Sequence, residues 1–182
     1  MPETTRRKPP PRRPPPLDAA ALDRLALRYV ERFATTRGRL ADYLRRKVRE
    51  RGWDGAPADP HGVAERMAEL GYVADRAYAE AKAGAMARRG LGARRIAGAF
   101  RRDGIEEADA DALAPGIKGG AKDAALAFAR KRRFGPWARE IADRPIVQKQ
   151  LAAMLRAGHD LALSRHILAM PPGEPTELDD FD

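Results

Sequence analysis

Apolar side chains recur every three to four positions through the middle of the chain. Leu22, Leu25, Tyr29 and Phe33 form one such stripe, Leu40, Leu44 and Val48 a second, and Val63, Met67 and Leu70 a third. That spacing places each set on one face of an α-helix. No stretch alternates apolar with polar residues as a half-buried strand would, and β-branched residues are scarce, so the pattern predicts an all-α fold. Punctuation agrees. Asp59 before Pro60 reads as an N-cap followed by a first-turn proline, and Thr36 and Asp75 read as further N-caps. Gly52, Gly104 and Gly158 stand where helices should end. The aromatic residues Tyr29, Phe33, Tyr43, Tyr78, Phe100 and Phe128 fall on the stripes and are expected in the core.

The three terminating glycines expose a repeat. Four residues before each stands an apolar side chain, namely Val48, Phe100 and Met154. Eight before stand Leu44 and Ile96, with Gln150 in the third case and Leu151 beside it to continue the stripe. The glycines are 52 and 54 residues apart. Each helix ending this way is preceded by an amphipathic segment (22–33, 78–86, 126–131) and followed by another (63–70, 109–113, 161–168). The economical reading is three tandem three-helix repeats spanning 17–71, 72–118 and 119–170. One unit has too little apolar surface to stand alone, so neighbours should share their cores in an elongated, curved array. The third copy is the least regular, because Pro136 and Pro145 force breaks within 134–145.

Composition changes this picture at the ends. Residues 1–16 are rich in proline and arginine and carry a net charge of +4, whereas residues 171–182 carry five acids, no base and a net −5. Neither can bury apolar surface, so both are expected to be disordered, as a Pro/Arg arm and an acidic tail. The whole chain is +9, which leaves the body between these segments at +10. A body that basic attracts polyanions or acidic protein surfaces. No apolar run approaches the roughly 20 residues a bilayer requires, so no membrane partner is expected. The absence of cysteine fits a cytoplasmic location.

Catalytic chemistry lacks its parts. Ser164 is the only serine and has no nucleophile-elbow glycines. His159 and His166 are seven residues apart, about 10 Å along a helix, too far to share a metal. The Gly90–Leu91–Gly92 turn lacks the third glycine of a dinucleotide fingerprint, and residues 116–123 lack the Gly-Lys-Ser/Thr ending of a phosphate loop. Glu106, Glu107, Asp109 and Asp111 suit the positive end of a helix. The expectation is a non-enzymatic protein with no cofactor and no metal.

What recurs instead is arginine on the middle helix of each unit. Arg45, Arg46 and Arg49 occupy the first, Arg94, Arg95, Arg101 and Arg102 the second, and Lys149 and Arg156 the third; Arg130, Lys131, Arg132 and Arg133 add a dense run. Forked guanidinium donors suit phosphate oxygens and carboxylates. Repeated on stacked units they could follow a helical polyanion. A solvated face matched to helix C-terminal dipoles accounts equally for Arg101, Arg102 and Arg130–Arg133.

Over most of residues 20–170 the chain resembles the RecX regulatory proteins, most tellingly at 70–105. The resemblance rests on Gly71, Tyr72, Val73, Asp75, Tyr78 and Ala79, then on Arg88, Gly90, Gly92, Arg95, Ile96 and Gly104; Ala74 departs from the family's usual aspartate. The resemblance implies a protein that binds the RecA filament on single-stranded DNA and restrains its ATP hydrolysis, strand exchange and coprotease action, with DNA phosphate as a second contact. It brings no cofactor and no catalytic residue, and a monomer is expected. On this reading the contact residues are Arg94, Arg95, Arg101 and Arg102, supported by Arg45, Arg46, Arg49, Arg130, Lys131 and Arg132. The other reading is a nucleic-acid-binding helical repeat protein acting without RecA.

Overall fold

The computed structural model describes residues 15–173, so nearly all of the Pro/Arg arm and of the acidic tail lies outside the described residues. Among those described there are nine α-helices, one short 3-10 turn and no strand. The helices are α1 (Ala19–Val30), α2 (Arg37–Arg51), α3 (Pro60–Glu69), α4 (Asp75–Arg88), α5 (Ala93–Arg102), α6 (Glu107–Gly119), α7 (Ala121–Arg132), α8 (Arg144–Ala157) and α9 (Leu161–Ala169). The 3-10 turn, Gly135–Trp137, occupies the proline-broken stretch before α8. No described helix is long and apolar enough to cross a membrane.

Local chemistry accounts for the boundaries. The Thr36 hydroxyl accepts from the Arg39 amide at 3.1 Å and starts α2, and Gly52, at φ 82, ends it. Within α2, Leu40 and Leu44 fall one turn apart and are fully buried. Truncating either to alanine would cost about 2–5 kcal/mol through lost burial and the cavity left behind. Asp59, Asp143 and Asp160 cap α3, α8 and α9 in the same way.

Four sequence expectations need correction. Asp75 does not cap α4: it is the first helical residue, and Ala74 holds the cap position without a side-chain bond. Phe33 is 52% exposed, because α1 ends at Val30 and Phe33 rests on the Tyr29 ring at the surface. Leu70 is 66% exposed at the end of α3. The helix expected over 109–113 is α6, which runs through Pro115 to Gly119.

Three separate cores organise the helices. Leu17, Leu22, Ala26, Leu40, Leu44, Val63 and Met67 join α1, α2 and α3. Ala79, Ala83, Ile96, Phe100 and Ile105 join α4 to α5, with Ala110, Leu113 and Ile117 of α6 packed partly against them. Phe128, Leu151, Met154, Leu163 and Ile167 join α7, α8 and α9. The middle core is the smallest, and no residue of α6 is fully buried. Leu17 anchors the start of the fold: its amide donates to the Gly52 carbonyl at 3.0 Å, and its own carbonyl accepts from Asp54 at 2.8 Å.

Candidate nucleic-acid interface

The middle helices of the three cores meet end to end. At the start of α5, the Gly92 amide donates to the Ala157 carbonyl at 2.9 Å and the Arg94 amide to the Gly158 carbonyl at 3.2 Å. Amides left without partners at the beginning of one helix are thus satisfied by carbonyls left over at the end of another. At the start of α2, the Thr36 hydroxyl donates to the Asp103 carbonyl in the turn that closes α5. Both contacts need glycine on both sides. A Cβ on Gly92 would lie 2.4 Å from the Gly158 carbonyl group, and one on Gly38 would lie 2.7 Å from the Gly104 Cα. The two pairs, 38 with 104 and 92 with 158, have the same separation of 66 residues. In space the helices follow one another as α8, α5, α2, opposite to their order in the chain. The positive start of α5 therefore meets the negative end of α8, and the start of α2 the end of α5.

This arrangement carries the basic residues singled out in the sequence. Ile96, Ala99 and Phe100 turn one face of α5 into the middle core. Arg94 and Arg101, and likewise Arg95 and Arg102, are seven residues apart and form two rows about 10 Å long on the opposite side. Between the rows lies Gly98, with Ala97 beside the Arg94–Arg101 row on the side facing α6. A Cβ on Gly98 would stand 3.6 Å from the Arg102 Nη1 and 3.9 Å from the Arg101 Nη2, so both guanidinium groups flank a bare stretch of backbone. All four arginines are exposed, and none makes an ion pair with a described residue. Arg94 does add to holding the Asp160 carboxyl below its ordinary range, an effect due first to hydrogen bonds from Ala162 and Leu163.

The remaining basic residues fall into different settings. On α2, Arg45 pairs with Asp42 at 2.7 Å, and Arg46 reaches Glu50 at 3.7 Å while lying over the Tyr43 ring; Arg49 is exposed and makes no ion pair with a described residue. Such exposed pairs are worth about 0–1 kcal/mol and are readily exchanged for another anion. Lys149 and Arg156 are exposed on α8. Arg130, Lys131, Arg132 and Arg133 gather at the end of α7, outside the α8–α5–α2 series itself. Beside α5, an apolar groove of about 990 Å³ runs between α5 and α6, lined by Ala97, Phe100, Ile105 and Ile117 with Arg101 and Lys118 at its edge. No group of three or more acidic or histidine side chains with metal-binding geometry occurs among the described residues.

Sequence reasoning missed the ionic knot at the first junction. Arg37 bonds Asp75 through both its backbone amide (2.9 Å) and its Nε (3.1 Å), and reaches Glu65 at 3.1 Å and Glu106 at 3.0 Å. Burial alone would depress this guanidinium, but its bonds to Asp75 and Glu65 raise it well above its ordinary value. Nearby, Arg39 donates to the Tyr78 hydroxyl at 2.8 Å, and Lys82 pairs with Asp103. Burial works against the Lys82 charge, and the bonds to Asp103 and Tyr78 outweigh it. The second junction holds buried His159 instead, with its Nε2 3.0 Å from the Gly90 carbonyl and its ring against Phe128. One signal was available: Gly38 and Gly92 share the 54-residue offset of Gly104 and Gly158, but they sit at helix starts, where a glycine draws less notice than at a helix end.

No family model matches the chain, and no curated protein matches its sequence. Among solved structures it is similar to the crystal structure of RecX from Lactobacillus salivarius, with a TM-score of 0.62 and 20% identity over 81% of this chain and 92% of that one. The likeness is one of fold, and the fold is all-helical and RecX-like.

Proposed function

We propose that the chain binds RecA filaments on single-stranded DNA and restrains their ATP hydrolysis, recombination and coprotease activity, as a non-enzymatic cytoplasmic monomer without cofactor. The observation that carries this reading is the set of four exposed arginines on α5 that make no ion pair with a described residue, in a chain whose fold is RecX-like. Residues 17–71, 72–118 and 119–170 then act as three repeats, a division supported by the three cores and by the two matching glycine junctions. Several modest contacts on one body sum to useful avidity along a repeating partner. Arg94, Arg95, Arg101 and Arg102 make the principal contacts, with Arg45, Arg46 and Arg49 extending them along α2.

Purified protein should slow RecA ATP hydrolysis on single-stranded DNA at substoichiometric amounts; no effect at any ratio would sink the proposal. A second reading, a nucleic-acid-binding protein acting without RecA, is favoured by the same arginines flanking Gly98, which lets a phosphate backbone approach closely. Titration on bare DNA separates the two. Tight binding whose log affinity falls by about 0.9 per phosphate contact against log salt, with no response to RecA, selects the second.

A further inference from the structure

We propose that the basic end of α7 is the docking surface for the chain's own acidic segment, residues 174–182. Arg130, Lys131, Arg132 and Arg133 are all exposed there, and none makes an ion pair with a described residue. Arg132 lies over the Phe128 ring at 5.7 Å. The negative end of a helix is worth about half a charge, far short of balancing four cations.

The backbone points the same way. Arg133 has φ 57 and ends α7 in the left-handed region, and it is the one non-glycine residue with positive φ among those described. A glycine would make that turn without strain. Here the turn carries a fourth cation instead, at a conformational cost of the kind found at functional positions.

The occupant is identified by where the described chain leaves off. The Gly173 amide donates to the Pro136 carbonyl at 3.0 Å, which fixes residue 173 beside a position three residues beyond Arg133. Three residues span at most about 11 Å. Residues 174–182 contain Glu174, Glu177, Asp179, Asp180 and Asp182 and no base. Nine residues extend up to about 30 Å, so the carboxylates further along the segment, Glu177, Asp179, Asp180 and Asp182, have the reach. A short tether gives an effective concentration on the order of millimolar, enough for a weak ionic contact to form. Once docked, the segment occupies guanidinium groups that phosphate would otherwise take, so 174–182 and a polyanion exclude one another at this end. The assignment is independent of what α5 binds.

The chain has no cysteine, so Asp182→Cys accepts a single nitroxide label. In amide NMR spectra of the full chain, the label should broaden the signals of residues 130–134 more strongly than those of 94–102. The broadening should fade at high salt, where the Debye length shrinks to about 3 Å at 1 M. The triple variant Arg130→Glu/Lys131→Glu/Arg132→Glu should lose it. Arg133→Gly, which removes one cation and relieves the turn, should weaken it and serves where the triple variant does not fold. Mixing spin-labelled chain with isotope-labelled chain distinguishes docking within a molecule from docking on a second copy. The proposal is overturned if broadening at 130–134 is absent, is indifferent to salt and to loss of charge, arises only between molecules, or centres on α5.

Discussion

Gly38→Ala is the most direct test of the end-to-end contact between middle helices. The added Cβ would stand 2.7 Å from the Gly104 Cα and 2.9 Å from its carbonyl oxygen. Carbon atoms in contact settle at about 3.5–4.0 Å, so the turn would have to retreat by about 1 Å. Backbone lies on both sides, and no flexible side chain can swing away. Gly38 does not have positive φ, so the substitution itself introduces no torsional strain. In an unobstructed helix it would stabilise by about 0.5–1 kcal/mol. Overpacking costs about 1–3 kcal/mol, and retreat also stretches the Arg37 bonds, leaving a net loss of about 1–2 kcal/mol. For a chain of this size that lowers the melting temperature by about 2–4 °C per kcal/mol. The control is Gly84→Ala in α4, where the Cβ meets only the tip of Arg88, at 3.2 Å. Thermal melts followed by circular dichroism should therefore show opposite signs for the same chemical change. A rise in melting temperature for Gly38→Ala matching that of Gly84→Ala would refute the close contact and the helix series built on it.

Three further outcomes are expected. Arg37→Ala leaves the Asp75 carboxylate, whose side chain is 4% exposed, without its cationic partner; urea titration should show a loss of about 3–5 kcal/mol, partly recovered in the Arg37→Ala/Asp75→Ala double variant. His159 is held below its ordinary pKa by burial, partly countered by the Gly90 carbonyl, so the folded chain resists a proton that the unfolded chain accepts. Stability should then decline as pH falls below about 6.5 and level off under the depressed folded value, and urea titrations of His159→Gln should show a flatter pH dependence than the parent. Charge reversal of Arg94, Arg95, Arg101 and Arg102 breaks no ion pair with a described residue but sets acids beside Asp160 and at the negative end of α5, so the melting temperature should fall by only a few degrees while inhibition of RecA ATP hydrolysis is lost; inhibition at the parent level removes these residues from the site.

Sequence pattern reached the helices because each is specified locally. Thr36 and Asp59 cap where their side chains can reach amides three residues on, and Gly52, Gly104 and Gly158 take positive φ where a helix must stop. The failures share a cause, which is that the deciding partner is remote in sequence. Asp75 has the residue type and setting of a cap, yet Arg37, 38 positions earlier, claims its carboxylate. Phe33 and Leu70 continue their stripes on paper, but the helices end before those positions are carried inward. The arginines were visible as a charge pattern, and so were the acids Asp42 and Glu50, one helical turn from Arg45 and Arg46. That no described acid pairs with the arginines of α5, while Glu106 turns instead to Arg37, is decided by the fold.

The glycine-to-turn contact has the same two faces at both places it is used, and a contact of that kind is heterologous: nothing in its symmetry limits how many times it can be added. This chain closes it at each end. The Gly52 turn, counterpart of Gly104 and Gly158, is already occupied by Leu17, which takes its carbonyl. At the opposite end, the second residue of α8 is Pro145, where the second residue of α2 is Gly38. Among the described residues the joint is used twice, and it links three middle helices.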